Sequence, residues 1–213
     1  MDKPERSLII LETERLTLRH QQASDVAFLV ALWADPAVTR YMGGPRDRDW
    51  LQSVFEETAR DPYAERYDLW PVIEKETGEV VGHCGLLDKE VEGKTEIELI
   101  YVLASAAWGK GYGTEIGRAL KRYAFEEMGI GRLIALIDPE NGASERVAAK
   151  VGMRLEKEVV RPGGAVRKMY VVARVPVRRH GAGARVSEGV HADEPLPLNG
   201  LRHRIGGRCN PEG

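Results

Sequence analysis

One segment constrains this chain more than any other: Trp108-Gly109-Lys110-Gly111-Tyr112-Gly113-Thr114, set between strand-like and helix-like patterning. Ahead of it, residues 95–103 alternate, with Ile97, Leu99 and Tyr101 on one side of a strand. Behind it, Ile116, Ala119, Leu120, Tyr123 and Ala124 recur at the spacing of one helix face, and Gly129 and Gly131 close that helix. Residues 132–138, with Leu133, Ile134, Leu136 and Ile137, read as a short buried strand. Glycine tolerates positive φ and leaves neighbouring N–H groups unobstructed, and a helix N-terminus carries partial positive charge. Strand, glycine loop, helix and strand together form a cradle for a pyrophosphate. Two familiar phosphate motifs are excluded. A P-loop needs Ser or Thr after Gly-Lys, where this chain has Gly111. A dinucleotide fingerprint started at Gly109 ends on Thr114, and one started at Gly111 ends on Ile116. A glycine loop by itself also serves as a plain turn before a helix.

The other elements follow in order. Residues 8–18 read as a first strand with a polar interruption, and Ser24-Asp25 as a helix start followed by Val26, Leu29, Val30 and Trp33. Asp35-Pro36 interrupts that helix, and Leu51, Val54, Phe55 and Thr58 suggest another. Residues 70–74 and 80–87 form a hairpin about Thr77-Gly78, with 90–94 a charged loop. Residues 141–151 fit a helix closed by Gly152, and 153–160 and 166–175 a last strand pair around Arg161-Pro162-Gly163-Gly164. The 213 residues suffice for one well-buried domain, over 8–175. Residues 176–213 are rich in Gly, Arg and Pro, lack a sustained period, and read as a disordered tail or as vector-derived or out-of-frame sequence.

The net charge of −2 shows no basic stripe for nucleic acid, and no apolar run is long enough for a membrane helix or a secretory signal. Cys84 and Cys209 have no metal-like spacing and the histidines do not cluster, so no metal is expected and a reducing, cytoplasmic setting is. His83 and Cys84, in an apolar strand, read as packing residues.

The run from Trp108 to Glu115 resembles the acetyl-CoA pyrophosphate loop of the GCN5-related N-acetyltransferases (GNAT), closest to the branch of the ribosomal-protein alanine acetyltransferases. Thr13-Glu14-Arg15-Leu16-Thr17-Leu18-Arg19 resembles that branch's opening strand, Trp33-Ala34-Asp35-Pro36 with Tyr41 its first helical region, Glu98-Leu99-Ile100-Tyr101 its central strand, and Asn141-Gly142-Ala143-Ser144 with Arg146, Lys150 and Gly152 its last core helix. The resemblance implies a mixed α/β fold. A largely antiparallel twisted sheet of about six to seven strands would carry helices on both faces. It implies an acetyl-CoA-dependent transfer to a primary amine, a peptide N-terminus or a small molecule, by a monomer or homodimer; a non-catalytic acyl-CoA sensor of the same fold is the alternative.

The resemblance also implies roles. Glu98 becomes the base, directly or through water, with Glu96 on the same strand face in reserve. Backbone N–H groups of Tyr101, Val102 and Leu103 stabilise the oxyanion and bind the pantetheine arm; the Tyr101 ring reads equally as core. Trp108, Gly109, Lys110, Gly111, Tyr112, Gly113 and Thr114 hold the pyrophosphate, although Lys110 also reads as a solvated lysine. Ser144 stabilises the leaving thiolate or merely opens a helix, and Asn141 contacts cofactor or acceptor, caps that helix, or both. Departures are Trp108 where the wider family has Gln or Arg, Met153 for a usual Phe, and Ala148 where many members carry a tyrosine acid. The acceptor cleft falls between residues 24–60 and 161–165, where no motif names the acceptor.

Overall fold

The computed structural model describes residues 8–174, so the tail expected over 176–213 lies outside the described residues. Its sheet has eight strands, β1 (Ile9–Glu12), β2 (Leu16–Arg19), β3 (Leu69–Glu74), β4 (Val80–Val91), β5 (Lys94–Leu103), β6 (Arg132–Ile137), β7 (Arg154–Val160) and β8 (Val166–Ala173). They lie in the order β1-β2-β3-β4-β5-β6-β8-β7, and every pair is antiparallel except β5–β6. The helices are α1 (Val26–Ala34), α2 (Pro36–Thr39), α3 (Arg48–Arg60), α4 (Tyr112–Glu126) and α5 (Gly142–Val151).

Eight strands replace the six to seven expected because the polar interruption at Thr13-Glu14-Arg15 is a hairpin turn, closed by the Thr13 N–H on the Leu16 carbonyl at 2.9 Å. The charged loop expected over 90–94 shrinks to Glu92-Gly93, both at positive φ, because β4 and β5 stay paired out to Val91↔Lys94. Asp35 caps α2 through the Ala37 N–H, and Pro36 takes its first position, where a missing N–H costs nothing.

Period-two alternation divides the apolar residues between two faces. Leu16, Leu18, Val72, Leu86 and Leu99 meet Ile116 and Leu120 of α4, while Leu69 and Val102 meet Leu29, Trp33, Leu51 and Phe55 of α1 and α3. Helix α5 lies beside α4 through Gly117, where a Cβ would come within 2.8 Å of Val151.

His83 fixes the layer beneath α1. The Trp33 indole donates to His83 Nδ1 at 3.1 Å, so the ring proton sits on Nε2, 3.0 Å from the Leu69 carbonyl. Burial pushes the imidazole pKa down to about 3. An unfolded histidine takes up its proton first as pH falls, so this stabilisation is complete above about pH 6.5 and is lost on the way toward pH 3. The full loss is on the order of 4 kcal/mol. Urea unfolding at about pH 7 and about pH 4 should therefore show a flatter pH dependence for His83→Gln than for the wild type; equal slopes would contradict this.

Candidate functional site

A single 3-10 turn, Ser105–Ala107, joins strand β5 to the glycine loop. Gly109 and Gly111 hold φ of +77° and +83°, and Gly111 caps α4. Among the described residues, the backbone N–H groups of residues 109–113 donate to no protein acceptor, whereas Thr114 donates to the Gly111 carbonyl at 3.1 Å. Five donors in sequence at a helix N-terminus fit a pyrophosphate, and the space over Gly109 is open. The Thr114 N–H is already bonded and adds no donor to this row. The side chains of Lys110 and Tyr112 point elsewhere. The Lys110 ammonium lies 3.1 Å from Glu74 Oε1, and the buried Tyr112 gives its hydroxyl to the same oxygen. Tyr112, Lys110 and Thr77 hold the Glu74 carboxyl below the usual carboxylate range. Trp108, half-exposed, donates its indole N–H to the Leu103 carbonyl at 2.8 Å.

The turn between β1 and β2 pins this loop. Glu115, in the first turn of α4, accepts from the Thr13 hydroxyl at 2.6 Å and the Arg15 backbone N–H at 3.0 Å. The Arg15 guanidinium grips its other oxygen at 2.8 and 2.6 Å and reaches the Lys110 carbonyl at 2.9 Å. Sequence spacing hid this clamp, although an acidic residue just inside a glycine-capped helix was its visible trace. Arg15→Ala should weaken acetyl-CoA binding roughly tenfold with little change in melting temperature, as loosening a half-exposed clamp would. Calorimetry reads this directly, and an unchanged Kd would show that the loop keeps its shape alone.

Beyond the loop, β5 parts from β6. Their pairing is recorded only at Glu98↔Ile134, and the Glu98 carboxylate enters the gap to accept the Leu136 N–H at 3.2 Å. Alternation decides which backbone groups face this gap. Ala104 donates to Val81 of β4, so Val102 also faces β4, while Tyr101 and Leu103 face β6. The expected Val102 donor is thus spent in the ladder, which leaves Tyr101 and Leu103. Glu98 is buried; desolvation raises its pKa against the opposing pull of Lys89, whose Nζ lies 3.9 Å away. Glu96 instead holds Arg132 at 3.1 Å.

Across the gap, Asn141 caps α5 by accepting the Ser144 N–H at 3.0 Å, and the Ser144 carbonyl accepts the Tyr101 hydroxyl at 3.1 Å. Burial pushes that phenol up to about 12. The Ser144 hydroxyl makes no hydrogen bond among the described residues. Ala148 is fully buried against the sheet and offers no polar group. Tyr101 and Ser144 are thus joined across the gap, and Glu98 enters it from β5. Asn141 spends its side-chain oxygen on the cap. Among the described residues, no three His, Cys, Asp or Glu side chains gather as metal ligands, and no helix is long and apolar enough to cross a membrane.

Comparison with known proteins agrees with this geometry. Residues 15–154 match the acetyltransferase (GNAT) domain model. YkkB of Bacillus subtilis is 37% identical over 150 residues, covering 70% of this chain and 87% of that protein. The uncharacterized N-acetyltransferase p20 of Bacillus licheniformis is 34% identical over 154 residues, covering 68% and 83%. An Agrobacterium tumefaciens acetyltransferase structure superposes with a TM-score of 0.66 at 26% identity, over 82% of this chain and 99% of that one. A Vibrio cholerae spermidine N-acetyltransferase in complex with CoA and spermine shares the fold at a TM-score of 0.63, with 15% identity, 76% of this chain and 96% of that one. With its domain matched over most of its length and its sheet, loop and gap in the arrangement just described, the chain belongs to the GNAT acetyltransferase family.

Proposed function

We propose that the protein transfers the acetyl group of acetyl-CoA to a primary amine by direct attack, in a cytoplasmic setting and within the ribosomal-protein-acetyltransferase-like branch. The observation that carries this reading is a single strand: β5 leads through one short turn to the glycine loop and presents Glu98, a buried carboxyl of raised pKa, in the gap that β6 leaves open.

Acetyl-CoA supplies the activated acetyl thioester. The free N–H groups of residues 109–113 hold its pyrophosphate. Tyr101 and Leu103 offer main-chain groups on the gap side of β5, suited to the amide-bearing pantetheine arm and to the carbonyl oxygen as it gains charge. Glu98 removes the proton from the amine nitrogen, helped by burial that brings its pKa closer to neutrality. A C–N bond forms as the C–S bond breaks. Ser144, whose hydroxyl has no acceptor among the described residues, hydrogen-bonds the departing sulfur; a hydroxyl is too weak an acid to do more.

Thiol release should follow addition of a primary amine and stop when the same amine is already N-acetylated. An α-amine, with pKa near 7.7–8.0, asks less of the base than a lysine near 10.4 and should react faster at neutral pH. Thiol release that ignores the amine would contradict the reading.

A further inference from the structure

The charges around Glu98 constrain the acceptor, and this inference rests on the reading just given. Glu98 and Leu87 are cross-strand partners, and both share a face with Lys89 on β4; Leu87 packs among α1 and α3, so this is the face opposite α4. Two walls rise from it. One is the α2–α3 loop, docked by the Arg46 N–H on the Trp33 carbonyl at 3.1 Å. The other is the β7–β8 hairpin, where Arg167 donates to the Tyr41 carbonyl at 3.5 Å and Arg161 to the Glu90 carbonyl at 2.6 Å. Beside Arg167 and Tyr41, a cleft of about 420 Å³ opens to solvent.

Cations converge here from both walls. Lys89 stands beside Glu98 at 3.9 Å, and positive charge reaches the pair from Arg161 on both, Arg46 on Lys89 and Arg167 on Glu98. Asp138 answers Arg167 at 2.9 Å, and Arg40 and Glu140 at the cleft mouth offset each other. Arg161 makes no ion pair among the described residues, holding only a carbonyl, so its guanidinium keeps donors for a ligand. A polyamine or aminoglycoside would bring its charges against this field. An acceptor bearing a carboxylate would meet a planar donor built to receive one.

We propose that the acceptor is a small amine that also carries a carboxylate, with the amine directed to Glu98 and the carboxylate to Arg161. The balance is that of any amide-forming acetyl transfer: the ammonium loses one proton to solvent and a second to Glu98, nitrogen bonds the acetyl carbon as the C–S bond breaks, and the departing thiolate takes up one proton, so that CoA leaves as the thiol and Glu98 returns to its carboxylate.

The test is thiol release with matched amines: free aspartate, glutamate and an ω-amino acid, each against its carboxamide; a peptide with an acidic N-terminal residue; and spermidine and kanamycin. Carboxylate amines should exceed their carboxamides by roughly 10- to 100-fold in kcat/KM, the worth of one charge-assisted hydrogen bond. Arg161→Gln should erase that preference mainly through KM, and Arg161→Lys should restore part of it. Carboxamides matching the free acids, or spermidine, kanamycin or the acidic peptide surpassing them, would overturn the inference while leaving the acetyltransferase reading intact. Acetyl-CoA that binds by calorimetry yet acetylates nothing in the panel would overturn both.

Discussion

Gly111→Val should abolish measurable acetyl-CoA binding, by more than about 100-fold, in a protein that still folds. Gly111 sits at φ +83°, a conformation that a β-branched residue adopts only at a cost of about 1–3 kcal/mol. Its Cβ would stand 3.6 Å from Arg15 Nη2, an ordinary contact, so the backbone conformation carries the cost. Relief of that strain turns the N–H groups of Gly111 and Tyr112 out of line, and two charge-assisted hydrogen bonds lost at about 1.5–3 kcal/mol each account for the drop. The loop lies on the surface at the mouth of α4, so the circular dichroism spectrum should hold. Calorimetry showing wild-type affinity would remove the loop from the cofactor site.

Glu98→Gln should lower kcat/KM by roughly 10²–10⁴, the usual size of a general-base effect, with acetyl-CoA affinity nearly constant. The substitution keeps an oxygen to accept the Leu136 N–H but cannot take a proton. The base acts deprotonated, so wild-type activity rises with pH through the Glu98 pKa, which burial sets above the ordinary glutamate value. In the variant that acidic limb should move to the pKa of the free amine. Glu96→Gln should leave both rate and limb in place, because Glu96 serves Arg132. The reverse pattern would make Glu96 the base.

What sequence could reveal here was local. The glycine loop, the periodic face of α4 and the asparagine cap of α5 each lie within a few residues, so spacing alone reported them. The β1–β2 hairpin escaped because the polar stretch Thr13-Glu14-Arg15 is short and holds no Gly or Pro to mark a turn between two apolar runs. The clamp escaped because Arg15 and Glu115 stand 100 positions apart. The same holds for Arg161 and the carbonyl of Glu90, 71 positions apart, so the cationic walls about Glu98 exist only once the sheet is assembled. Which side of β5 the Val102 N–H faces depends on the pairing with β4, which no local spacing reports. The side chains of Lys110 and Tyr112 turn back to Glu74, a partner far away in sequence, and leave only their backbone to a ligand.

The central claim is that an acetyl group passes from acetyl-CoA to an amine at Glu98. The most direct measurement is to follow isotopically labelled acetyl-CoA through a single turnover with a carboxylate-bearing amine. The expected result is label in the amide product, one CoA thiol released per amide, no label on the protein, and a transfer rate that collapses in Glu98→Gln. Bound acetyl-CoA that keeps its label in the presence of every amine, or a transfer rate indifferent to Glu98, would contradict it.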